Sequence, residues 1–207
     1  MIDMAVLSKF VDPTGQCANP RMINAVAALC GVTLASDSEI EEGQRLAAER
    51  IAGPIVSAAM LQAVQHITGC SVHIVREAGK VTGLTAFFLL RPDGMQAFAA
   101  GRFDTVNVDL DYVWRPREIP AGGYAWGFVA SNDRAAGRVV KASLMVRETL
   151  LWGLSGYTRA ATDDGARLIF GSLGFASVPN DPTLAYYAAR GAPFEGVILP
   201  GLSQAAA

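Results

Sequence analysis

Apolar positions along the chain follow one period before residue 70 and another after it. Ser38 and Glu41 stand at capping-box spacing, and Ile40, Ala47 and Ile51 share one face of the helix that follows. Gly53-Pro54 ends that helix and opens the next, because proline suits the first helical position. Val56, Met60, Ala63 and Ile67 make the next stripe, and Gly69 is a natural stop. A stripe of this kind predicts core rather than a binding surface. Residues 1–70 are therefore expected to form an N-terminal helical extension, followed by a second unit over 71–207.

From residue 71 the period becomes strand-like. Ser71–Glu77 reads as a strand, Ala78-Gly79-Lys80 as a turn, and Val81–Arg91 as an almost wholly apolar strand, as expected where both faces are covered. Pro92-Asp93-Gly94 reads as a turn and Met95–Arg102 as a strand. Over 105–114, Val106, Val108, Leu110, Tyr112 and Trp114 alternate with Thr105, Asn107, Asp109 and Asp111, which predicts a half-buried strand. An apolar strand Tyr124–Ala130 feeds a loop Ser131–Ala136 and a helix 137–153, with Val140, Leu144 and Leu151 inward and Arg138, Lys141 and Glu148 outward. Gly156–Ala161 is the next strand. Thr162 then caps a helix 163–173 with Asp163 and Asp164 at its positive end, a stripe of Ala166, Ile169, Phe170 and Leu173, and Gly174 as its stop. Ala176–Val178 and Phe194–Leu199 read as closing strands. A meander of strands followed by a strand-helix-strand unit predicts an α/β fold with a mixed, mostly antiparallel sheet flanked by helices.

Composition narrows the function classes. Hydrophobic residues make up 51% of the 207, enough for a real core. Seventeen Lys and Arg against nineteen Asp and Glu leave no basic excess to neutralise a phosphate backbone, so no nucleic-acid partner is expected. Mean hydropathy is high at +0.28, yet charges interrupt every long apolar run, so no membrane span is expected. Residues 1–10 carry Asp3 and Lys9 and lack a signal-peptide layout, and the three scattered cysteines, Cys17, Cys30 and Cys70, fit reduced thiols; a cytoplasmic location is expected. His66 and His73 stand alone on different elements, so no metal site is expected.

Several common catalytic signatures are missing: no Gly-x-Gly fingerprint, no Gly-Lys-Ser/Thr loop, no Gly-x-Ser-x-Gly elbow and no His-Glu-x-x-His helix. What remains is the junction Phe128-Val129-Ala130-Ser131-Asn132-Asp133-Arg134-Ala135-Ala136-Gly137-Arg138. A strand there runs into a small-residue segment that opens a helix, leaving backbone N–H groups for an anion at the positive helix end, with Arg134 and Arg138 beside it. The same residues would serve as a plain strand-helix connection with solvated arginines.

Residues 72–178 resemble the GNAT acyltransferase superfamily. Arg134-Ala135-Ala136-Gly137-Arg138-Val139 is similar to its pyrophosphate loop Gln/Arg-x-x-Gly-x-Gly/Ala, matching at Arg134 and Gly137 and departing at Val139. Ala161–Leu168 through Leu173-Gly174-Phe175 resembles its later helix, and Glu77-Ala78-Gly79-Lys80-Val81-Thr82-Gly83 its strand-turn-strand entry. The resemblance implies a GNAT-like fold in which acetyl-CoA or another acyl-CoA lies between two splayed parallel strands, here 124–130 and 157–161. It implies a pantetheine arm along Phe128, Val129 and Ala130, a pyrophosphate on residues 134–139, and contacts from Asp163 and Phe170 on the later helix. Acyl transfer to a small-molecule or peptide amine by direct attack on the thioester is the implied activity. Phe170 stands where many members place a proton-donating tyrosine, and Asp163 where they often carry asparagine. Tyr157 is a substitute proton donor that serves equally as core. Asp109 and Asp111, on one face of the expected strand, are candidate bases that fit a solvated face as well; Glu118 and Glu148 are weaker candidates. Trp114, Tyr124 and Trp126 are candidates to line an acceptor pocket or to pack the core. The rival function is a CoA-binding regulatory or structural module without catalysis. The helices of 1–70 are candidates to cover the acceptor site or to form a homodimer interface, and an edge at Phe194–Leu199 is a second candidate for pairing between subunits.

Overall fold

The computed structural model describes residues 18–51, 53–178 and 181–190. In chain order these form α1 (Pro20–Leu29), β1 (Thr33–Leu34), α2 (Asp37–Ala48), α3 (Ala58–Thr68), β2 (Val72–Glu77), β3 (Lys80–Leu90), α4 (Pro92–Ala99), a 3₁₀ turn (Leu110–Tyr112), β4 (Gly122–Ala130), α5 (Asp133–Leu150), β5 (Gly156–Arg159), α6 (Asp163–Ala166), a π-helical segment (Arg167–Ser172), β6 (Ala176–Val178) and β7 (Asp181–Tyr187). The strand expected at Phe194–Leu199 lies outside the described residues.

The strands make one sheet in the order β1-β2-β3-β4-β5-β7-β6. Every neighbouring pair is antiparallel except β4 with β5. The β2–β3 hairpin turns at Ala78 and Gly79, both with positive φ, as its tight turn requires. β3 is buried along most of its length, because helices cover both faces of the sheet. On one face, Ile40 of α2 and Leu61 of α3 share a core with Ile74, Leu84 and Ala86. Farther along that face, Phe88, Tyr124 and Tyr157 pack with Phe98 of α4. On the other face, Ile23 and Val26 of α1 pack with Val146 and Leu150 of α5. The segment expected as an N-terminal helical extension thus lies directly on the sheet.

Boundaries moved where local chemistry outweighed periodicity. α2 is capped two residues earlier than expected, with the Ser36 N–H donating to Glu39 Oε2 at 2.8 Å. Pro54 does not open a helix; α3 starts after Ser57, whose hydroxyl accepts from the Met60 N–H. Gly69 does end α3, at φ +70°. The strand expected at Met95–Arg102 is instead α4, with Pro92 in its first turn. No strand forms over 105–114. Asp104 Oδ1 accepts the Val106 and Asn107 N–H groups, and Asp109 Oδ1 accepts the Asp111 N–H, so side chains bend the backbone away from an extended run. The buried stripe of α5 includes Val139, Ala142, Val146 and Leu150; of the residues expected inward, Leu151 is buried just past the helix, while Val140 and Leu144 are half-buried. α6 keeps its expected Thr162 cap, and Gly174 follows its π-helical continuation at φ +70°.

Candidate functional site

β4 has two unlike halves. Gly123, Tyr124 and Ala125 pair in parallel with Gly156, Tyr157 and Thr158. Beyond Ala125 the strands part: β4 continues to Ala130 against β3 alone, while β5 stays with β7. The parting is marked on β4 by a bulge, since Ala86 opposes Gly127 while Phe87 opposes Ala125, leaving Trp126 as the extra residue. The Thr158 hydroxyl donates to the Ala125 carbonyl at 2.9 Å and so closes the vertex. Among the described residues no strand covers the β5-facing edge of 127–130.

A cavity of about 250 Å³ opens at this splay. Trp126, Gly127 and Val129 line it from β4, Arg159 and Ala160 from the end of β5, and Gln44, Ala47 and residues 54–56 from α2 and the loop after it. A Cβ added at Gly127 would meet no atom within 4 Å. The loop 103–109 is pinned over the cavity by Thr105, whose carbonyl accepts from Trp126 Nε1. Burial pushes the Tyr124 phenol above its usual value, so it keeps its proton at neutral pH. Arg159 is held by Asp181 at 2.8 Å and by Thr183 Oγ1 at 2.7 Å.

The strand-helix junction is tighter than expected. Asn132 is the N-cap and α5 begins at Asp133, so the open loop is only Ser131–Asn132. Asn132 Oδ1 takes the Ala135 N–H at 2.9 Å and the Asn132 carbonyl takes the Ala136 N–H at 3.0 Å. Gly137, Arg138 and Val139 lie within the helix, where their N–H groups bond to carbonyls four residues back. The N–H groups of Asp133 and Arg134 are the ones left at the helix end. Glu77 faces this end: its Oε1 lies 3.5 Å from Arg134 Nε and 3.8 Å from an Arg138 Nη atom, and its Oε2 accepts from Asn132 Nδ2 at 3.2 Å. Arg50 donates to the Ser131 carbonyl at 3.5 Å.

A parallel pair that splays, in an otherwise antiparallel sheet with helices on both faces, is the arrangement implied by the sequence resemblance. The fold is α/β, a mixed and mostly antiparallel sheet flanked by helices, as expected. A solved structure from Corynebacterium glutamicum, described as histone acetyltransferase HPA2 and related acetyltransferase, is similar at 15% identity, with 79% of this chain and 97% of that chain covered and a TM-score of 0.44. No protein-family model matches the chain, and no curated protein does.

Of the expected acceptor-pocket residues, Tyr124 and Trp126 line the splay cavity. Trp114 does not: it is buried on the opposite face beside Ile23 and Val146, with its Nε1 donating to the Glu118 carbonyl. Tyr157 packs between Phe98 and Tyr186 in the core, and burial pushes its phenol to about 12. Asp109 and Asp111 share no strand face, because that strand is absent; both are exposed and neither lines the cavity. Glu118 accepts the Arg115 N–H, and Glu148 pairs with Arg147 and Arg190. Asp163 is exposed and Phe170 half-buried, and neither lines the splay cavity. Of the strand residues, Val129 lines it, whereas Phe128 and Ala130 pack toward α5. Gln44, Thr105, Arg159 and Thr183 belong to the site without any sequence signal. Among the described residues no group of three His, Cys, Asp or Glu could hold a metal, and no helix is long and apolar enough to cross a membrane.

Proposed function

We propose that the chain is an acyl-CoA-dependent N-acyltransferase, and that the splay of β4 from β5 is its co-substrate cleft. One observation carries this reading: a strand edge at 127–130 with no strand partner among the described residues, beside a cavity of about 250 Å³. An extended pantetheine chain, with its amides, suits such an edge as an added strand. An anionic diphosphate would sit at the Asp133 and Arg134 N–H groups, with Arg50, Arg134 and Arg138 around it. The Glu77 carboxylate would have to turn away from both α5 arginines, which makes the anion end the weaker part of the fit.

Acyl-CoA supplies an activated acyl group as a thioester. A neutral amine in the cavity forms the new C–N bond as the C–S bond breaks; the nitrogen releases one proton to water, and the departing sulfur takes one from Tyr124, which regains it from water. Tyr124 is the tyrosine lining the cavity among the described residues. Burial raises its pKa and keeps it protonated. It takes the proton-donor role that Phe170 cannot. Trp126 and the pinned loop 103–109 exclude water and bound the acceptor.

The test is thiol release from acetyl-CoA over a panel of primary amines, run beside equilibrium binding of acetyl-CoA. Binding with amine-dependent release supports the enzyme. Binding without release under every amine leaves the non-catalytic module, and absence of binding removes both.

A further inference from the structure

On the opposite face of the sheet, a second cavity of about 120 Å³ lies between the paired half of β4 and the C-terminal half of α5. Gly123, Ala125 and Gly156 form its floor; Val146, Leu151 and Leu154 are among its other walls. The floor is low because these residues have little or no side chain. A Cβ added at Gly156 would meet no atom within 4 Å, so open space lies directly above the strand.

His73, Ser143, Ser155 and Arg147 at its rim turn to protein partners. His73 Nε2 lies 2.8 Å from Asn24 Oδ1, and the Ser143 hydroxyl donates to the Val139 carbonyl at 3.0 Å. The Ser155 hydroxyl meets Tyr186 at 3.3 Å. Arg147 donates to the Leu173 carbonyl and to Glu148, and its guanidinium lies 3.8 Å over the Tyr187 ring. What remains facing the cavity is carbon.

We propose that this cavity binds a neutral apolar group about the size of a benzene ring, either a small aromatic or a short alkyl chain. Apolar cavities of about 150 Å³ stay dry and take up benzene, and this one is of the same order. A charged ligand would give up its hydration and find no free partner on these walls. The group arrives either as a free small molecule or as the tail of a longer acyl chain held at the splay, since Tyr124 lines both cavities.

The experiment titrates the full chain with toluene, hexan-1-ol and hexanoate, reading chemical shifts and melting temperature, and repeats each on Gly156→Val and Ala125→Val. Toluene and hexan-1-ol raise the melting temperature of the wild type, and hexanoate binds more weakly than hexan-1-ol. Gly156→Val binds toluene at least about tenfold more weakly, as expected when apolar burial worth a side chain is lost, while melting no lower than the wild type. Ala125→Val supplies the same reading should Gly156→Val fail to fold. No response of the wild type, an undiminished response in both variants, or a preference for hexanoate overturns the proposal. Hexanoyl-CoA and acetyl-CoA separate the sources. A hexanoyl advantage erased by Gly156→Val assigns the cavity to an acyl tail, and equal affinities assign it to a free ligand; either supports the site. That last arm alone rests on the acyl-CoA reading. If neither thioester binds, that reading falls while the toluene response still carries the cavity.

Discussion

The two halves of β4 make a controlled comparison within one strand. Gly122–Ala125 lies between β3 and β5, and above it α5 encloses an apolar cavity whose polar neighbours are satisfied by protein. Trp126–Ala130 has β3 on one side and, among the described residues, no strand on the other, and the cavity beside it includes Gln44, Thr105, Arg159 and Thr183. The first half uses its hydrogen bonds for the sheet and offers only apolar space. The second keeps backbone groups for something else. A few residues of divergence after a bulge therefore separate a structural half from a half suited to a polar chain.

The comparison breaks most visibly at Tyr124, which pairs with β5 in the packed half and also lines the open cavity. Tyr124→Phe is expected to lower turnover by about 10²-fold or more, the range for a lost proton donor, with acetyl-CoA affinity unchanged. Steady-state rates beside calorimetry check this. A variant with full turnover removes Tyr124 from the chemistry.

The packed half should instead respond to acid. His73 lies under α5, buried and stacked on Phe87, with its pKa lowered to about 4 by burial. Between about 4 and its unfolded value near 6.5, the unfolded chain binds the extra proton, so its share of stability is complete above about pH 6.5 and falls as pH drops toward 4. The loss is about 3 kcal/mol at most across that window. Denaturant titrations at pH 7 and pH 4.5 measure it, and His73→Gln should flatten the difference.

The smallest effect is expected at Trp126→Phe. It removes the hydrogen bond to the Thr105 carbonyl but leaves an aromatic ring against Phe88. Stability should fall by about 1 kcal/mol, read as a lower denaturation midpoint, with faster amide exchange over 103–109.

Much of the frame was legible because periodicity and punctuation agreed. Val81–Arg91, Tyr124–Ala130, the Thr162 cap and the Gly69 and Gly174 stops each rest on a strong local signal, and each reappears within a few residues. The departures have separate local causes. At 105–114 the alternation was real, but Asp104 and Asp109 bond to nearby backbone and turn the chain. Pro92-Asp93-Gly94 fits a turn by composition, but proline followed by an acid also suits a first helical turn, and the helix forms. The site was half legible. Tyr124, Trp126 and Val129 stand on a recognisable strand, whereas Gln44, Thr105 and Thr183 reach the cavity only through tertiary packing, which no local pattern encodes.

The central claim is that the open half of β4 holds acyl-CoA. Calorimetric titration of acetyl-CoA into the wild type and into Gly127→Val tests it most directly, with circular dichroism to confirm the fold. Gly127 faces the splay cavity with no atom within 4 Å of an added Cβ, so valine fits the strand while filling the cleft. The account predicts binding by the wild type and at least about tenfold weaker binding by Gly127→Val. No binding by the wild type, or equal affinity in both folded proteins, would contradict it.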